Sequence, residues 1–210
     1  MLHRVRIALP DRPGSLAKVA RVMAASGADV VRVDVLEREA GRAVDDFLLD
    51  LPTGRAPAMA KALHAEPGVD LLVLAPTGRP PGSHPEIDLF EHAIARPHRA
   101  LTTLTDMAAD VFAAEWAVLV SHGHGSARPL MHSADAPEVD LTELPLGRVS
   151  WSMGNTDSGQ LAGGRVDANR ALVVGRSSGV WYTLEVERLR RVVALISTIA
   201  LEPAHDRAVS

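Results

Sequence analysis

The chain contains no cysteine. That single absence excludes a disulfide framework, a Cys-ligated zinc site, an iron–sulfur cluster and a thiol nucleophile, and it suits a reducing compartment. Aromatic residues are scarce at 3%, and Phe47 is the only one before Pro76. No window approaches the ~20 uninterrupted apolar residues that a bilayer span requires, and Met1 to Pro10 has no apolar run of secretory length, so a cytoplasmic protein without membrane contact is expected. Positive charge is also short. The formal net charge is −4, and of 22 basic residues only Lys18 and Lys61 are lysine. Such a molecule repels a phosphate backbone unless its basic residues gather on one face, so nucleic acid is not an expected partner. What the chain does have is apolar material, 47% of its 210 residues, enough to bury one or two cores.

Its organisation is set by the stretch Pro76 to Pro85, which packs four prolines and two glycines into ten residues. Neither a helix interior nor a central strand persists through such a run. The expected layout is a first domain at 1–76, a Pro/Gly-rich linker at 77–86, a second domain at 87–203 and a flexible tail at 204–210. In the first domain Val5, Ile7 and Leu9 alternate with Arg4, Arg6 and Ala8, the period of a strand with one buried face. Ser15 then opens a helix with Leu16, Val19, Ala20 and Met23 at helical spacing, and Gly27 follows as its stop. Val31, Val33 and Val35, then Phe47, Leu49 and Leu51, read as two strands of a hairpin. A second helix carries Met59, Ala62 and Leu63, and Val69, Leu71, Val73 and Ala75 alternate once more. The order is βαββαβ, a ferredoxin-like antiparallel sheet with both helices on one face.

Many functions share that fold, so the site must discriminate among them. Base stacking on the open sheet face needs aromatics that are missing, and metal carriage needs thiols that are missing. The distinctive element is the first turn, Asp11-Arg12-Pro13-Gly14-Ser15-Leu16. Gly14 lets backbone approach a ligand, the N–H groups and dipole at the helix start suit a carboxylate, and Asp11 offers an acceptor to an ammonium group. This D-R-P-G loop, a helix and then Gly27-Ala28-Asp29-Val30 resembles ACT domains, which join such a loop and helix to a G-x-N-I entry into strand two. The resemblance implies a small ligand, typically an amino acid, held between Asp11, Arg12, Pro13, Gly14, Ser15 and Leu16 of one copy and the start of strand two, Asp29 and Val30, of another. It also implies a homodimer. Asp29 stands where the family usually has Asn, which changes the contacts available to a ligand carboxylate.

The second domain opens with helical spacing at Ile87, Leu89, Phe90 and Ile94, continues it from Leu101 to Phe112, and has strands at 115–121 and 170–175. Residues 134–164 read as turns and short strands. A final amphipathic helix carries Val186, Leu189, Val192, Val193 and Ile196. The loop Gly175 to Thr183 before that helix, together with the opening helix, resembles GAF domains. That resemblance implies an antiparallel sheet with helices on one side and a ligand pocket lined from Val149 to Leu161 on the other. His122, His124 and His132 have no carboxylate partner with a defined place, and Ser150, Ser152 and Ser158 lack a nucleophile elbow, so neither a metal site nor acyl transfer is expected. No phosphate-cradling glycine motif is present. The expectation is an α+β, cofactor-free, non-catalytic sensor in which an amino-acid-binding ACT domain acts through a GAF-like domain on an unidentified downstream protein. An assembly subunit whose ACT domain only dimerises, or an enzyme with its site in the second domain, are the alternatives.

Overall fold

The computed structural model describes residues 1–77, 84–123 and 125–201, Asn155 by its backbone alone. His124, residues 78–83 of the expected linker and the whole of the expected tail lie outside the described residues. The chain divides into two compact units, Met1–Ser83 and His84–Ser210. Both are α+β, each built on an antiparallel sheet with flanking helices.

The first unit runs β1 (Leu2–Pro10), α1 (Ser15–Ala25), β2 (Asp29–Glu39), β3 (Arg42–Asp50), α2 (Ala56–Ala65) and β4 (Asp70–Pro76). Its sheet order is β2-β3-β1-β4, antiparallel throughout, as the βαββαβ reading requires. Alternation decides which side is buried. Val5, Ile7 and Leu9 of β1 and Phe47 and Leu49 of β3 meet Val19 and Met23 of α1 and Met59 and Leu63 of α2 in one core. Each such side chain contributes roughly 1.5–3 kcal/mol through burial. Gly27, at φ +77°, ends α1 and allows the Ala28 N–H to donate to the Met23 carbonyl at 3.0 Å. On the opposite face Arg6 stands across from Asp46 in the β1–β3 ladder, and Asp46 accepts from Arg4 Nε at 2.9 Å and from Arg6 Nε at 3.3 Å.

Strand β2 is the edge. Its pairing with β3 slips between Val30 and Arg32 and again between Val35 and Glu37, two bulges. Val30, Val31, Val33 and Val35 are 36–43% exposed, an apolar row that the rest of the first unit leaves uncovered.

The second unit comprises α3 (Pro85–Ala95), a 3-10 turn (Pro97–Arg99), α4 (Ala100–Phe112), β5 (Trp116–Gly123), β6 (Ser126–His132), β7 (Ser150–Thr156), β8 (Gly159–Arg165), β9 (Arg170–Arg176) and α5 (Thr183–Leu201). Pro85 and Glu86, expected in the linker, are the first residues of α3. The sheet, ordered β6-β5-β9-β8-β7, has a core on each side. On one side Ala117, Leu119, Leu172 and Val174 pack against Leu104 of α4 and Leu189, Val193 and Ile196 of α5. On the other side Trp116, Val118, Trp151, Leu161 and Val173 pack with Leu141 and Leu146 from the irregular segment between β6 and β7. Glycines make room for the indoles. A Cβ at Gly163 would lie 2.4 Å from Trp151 Cε2, and one at Gly175 would lie 2.0 Å from Trp116 Cζ2. Val149 to Leu161, expected to line a pocket, spans β7 and the start of β8, and its inward side chains Trp151 and Leu161 are core residues.

The entry to α5 is locked by a buried ion pair. Arg176 Nη1 and Nη2 donate to Glu185 Oε1 and Oε2 at 3.0 and 2.9 Å, and the guanidinium carbon lies 3.9 Å from the Trp181 ring centroid. Glu185 Oε2 also accepts the Tyr182 N–H at 3.1 Å, half of a capping box.

Candidate functional site

The loop from Pro10 to Ser15 hands β1 to α1, and its shape follows from three residues. Pro10 closes the strand, and the Arg12 N–H donates to the Pro10 carbonyl at 2.9 Å. The Asp11 N–H donates to the Gly41 carbonyl at 2.8 Å, tying the loop to the β2–β3 turn. Gly14 takes φ +88°, in the left-handed region, and nothing lies within 4 Å of the place its Cβ would occupy. An L side chain at that φ costs about 1–2 kcal/mol, so the conformation favours glycine here.

Gly14 is the N-cap of α1, which has no side-chain cap and no acidic residue in its first turn. The helix therefore presents N–H groups and the positive end of its dipole with no carboxylate of its own to meet them. Asp11, Arg12, Pro13, Gly14 and Leu16 are exposed around that end and Ser15 is buried beneath it. The six loop residues expected to form a site are thus gathered in one place.

Asp29 and Val30 are not with them. They sit at the start of β2 opposite Asp50 and Leu49, whereas the loop adjoins the far end, where Glu39 faces Arg42 and Arg42 faces Pro10. Ten residues of strand, about 30 Å, separate the two groups within one chain.

Two residues at the loop end were not foreseen. Arg38 of β2 brings its Nε to 3.9 Å from Asp11 Oδ1. Asp45 of β3 faces Ile7 and so lies on the helix side of the sheet. It is 4% exposed, and its Oδ1 has no hydrogen-bond partner. Burial pushes the Asp45 carboxyl above the ordinary Asp value; Arg38 opposes this and Asp11 adds to it.

In the second unit His122 and His132, the two of the three expected histidines that are described, do not converge. His132 pairs with Val118 and His122 with Ala127, four positions apart along β5. Among the described residues no group of His, Asp and Glu is placed to hold a metal. Among the described residues no helix is long and apolar enough to cross a membrane.

Residues 3–68 match the family model of the ACT domain. No curated protein matches the chain. Among solved structures the chain is similar to a formyltetrahydrofolate deformylase from Pseudomonas putida KT2440, with 14% identity over 45% of this chain and 38% of that one and a TM-score of 0.30. It thus spans well under half of that enzyme. It is also similar to a GAF domain from Pseudomonas syringae pv. tomato, with 13% identity over 54% and 83% and a TM-score of 0.41. Protein BT0572 from Bacteroides thetaiotaomicron shares 13% identity over 95% of both chains at a TM-score of 0.28.

Proposed function

Residues 3–68 form an ACT domain, and from that premise we propose that the protein is a non-catalytic sensor whose dimer binds an amino acid at Asp11 to Leu16 and passes the bound state to the second unit. The observation that carries this reading is the α1 N-terminus: an uncapped helix end, with open space above Gly14 and a carboxylate at Asp11, is complementary to both ends of a zwitterion. A dimer follows from the edge strand. Pairing two β2 edges antiparallel about a two-fold axis between Val33 and Asp34 covers the exposed valines and sets Asp29 of one copy against Arg38 of the other, beside that copy's loop. The 30 Å gap within one chain then closes between two. A ligand bound there shifts the assembly by its differential affinity for the two arrangements.

Thermal denaturation with each of the twenty amino acids tests the reading, since a ligand present at a hundred times its Kd adds about 2.7 kcal/mol to the folded state. One amino acid is expected to raise the melting temperature, with Gly14→Val removing that rise. Val33→Lys is expected to give a monomer in sedimentation. No shift with any amino acid defeats the sensor reading. If sedimentation nonetheless gives a dimer that Val33→Lys dissociates, the second reading stands, an assembly subunit in which Asp29 repels a ligand carboxylate.

A further inference from the structure

We propose that Asp45 is the counter-ion for a ligand cation, so that the ACT domain takes a net-cationic primary amine rather than a neutral or acidic amino acid; this rests on the ligand site at Asp11 to Leu16. Asp45 Oδ1 is buried and lacks a hydrogen-bond partner, a state that costs more for a carboxylate than for a neutral group. The fold enforces it, because the β1–β3 register places Asp45 on the same side as Ile7, Phe47 and Leu49.

The charged groups acting on Asp45 are Asp11 from the loop and Arg38 from β2. Arg38 is a weakly held cation: its side chain is 65% exposed, and it stands 3.9 Å from an Asp11 carboxylate that is itself 40% exposed. Two carboxylates against one loosely placed guanidinium leave a deficit of one positive charge. An ammonium seated beside the Arg38 head would give the Asp45 oxygen its missing donor and balance the second carboxylate, with Asp11 accepting a second of its three N–H bonds. Asp29, brought in by a second copy, adds further negative charge and selects against a ligand with an extra carboxylate. A neutral Asp45 offers no counter-charge, so affinity falls as the pH drops through the raised Asp45 value.

Calorimetric titration of the full chain with the twenty amino acids, their N-acetyl forms and their decarboxylated amines tests this. The tightest probe is expected to carry net positive charge. Acetylating its amine, or introducing Asp45→Asn, is expected to weaken binding at least tenfold, and the variant should lose the share of the pH dependence that Asp45 contributes. The unliganded variant should melt at or above the wild-type temperature, and if it does not fold, the acetylation comparison in the wild type still decides. Equal affinity for the acetylated and free amines, or for Asp45→Asn and wild type, overturns the assignment while leaving amino-acid sensing intact. Binding of the decarboxylated amines but of no amino acid defeats amino-acid sensing and sustains the role of Asp45. Binding of none of the probes defeats both.

Discussion

Replacing Gly175 by alanine in β9 should break the packing of Trp116, and the size of the effect can be worked from the geometry. Gly175 is not among the glycines with positive φ, so alanine is conformationally acceptable there and only space opposes it. The added Cβ would lie 2.0 Å from Trp116 Cζ2 and 2.2 Å from Cε2, against about 3.5–4.0 Å for an ordinary carbon contact. The indole, 5% exposed, must retreat by roughly 1.5 Å or leave its site. Overpacking of this kind costs about 1–3 kcal/mol, and full loss of a buried tryptophan about 3–5. Alanine for glycine in a strand returns about 0.5–1. The expected net loss is about 2 kcal/mol. Urea denaturation followed by tryptophan emission is the assay, because Trp116, Trp151 and Trp181 all lie in the second unit and the signal reports on that unit alone. In a Trp116→Ala background the same glycine substitution should cost nothing, since the clash partner is gone. An equal cost of Gly175→Ala in both backgrounds would refute the reasoning, because the penalty would then arise in the backbone.

Arg176→Met should destabilise the second unit by about 3 kcal/mol, because it deprives a buried Glu185 of its counter-ion; Arg176→Met with Glu185→Gln should cost less than Arg176→Met alone, and a greater cost would show that the charge itself is unimportant. Glu187 accepts from Arg190 and Arg191, and these bonds hold its carboxyl down at about 2. Its contribution is therefore present above the ordinary glutamate value and lost as pH falls through about 2. Side-chain carboxyl NMR should place its midpoint there, and a midpoint near 4 would show that the two arginines do not hold it. Gly14→Ala should leave the fold intact yet lower the melting temperature of the first unit by an amount equivalent to about 1 kcal/mol; an unchanged melting temperature would show that the left-handed turn is not needed.

The first unit was legible in the sequence because its strands alternate cleanly and its helices are punctuated by Gly27, Pro67 and Gly68. The loop was legible because Pro13 and Gly14 have conformations that few residues share. Asp45 escaped notice although its signal was present: in a strand where Phe47 and Leu49 point inward, the residue two before Phe47 must point inward as well, and one of the pair Asp45-Asp46 had to be buried. The second unit was legible at its ends, where α3, α4 and α5 show helical spacing. It was not legible from 134 to 164, because Gly163 and Gly164 erase the alternation of β8. Those glycines serve neighbours that lie far along the chain, the indole of Trp151 and the Leu189 side chain, and no local pattern reveals such partners.

The two bulges of β2 bear on how far association can proceed. A straight edge with a row of valines is a template on which copies stack without limit, the geometry of fibre growth. Here the ladder is interrupted at Val31 and at Leu36, which leaves a regular stretch of four residues, Arg32 to Val35, for an incoming strand. In the proposed dimer a mate related by a two-fold axis uses that stretch once, and each member then presents β4, not β2, at its outer margin. The kinks that make β2 a poor strand within its own sheet thereby confine the proposed pairing to those four residues, too short a row for a sticky edge to serve as a fibre template.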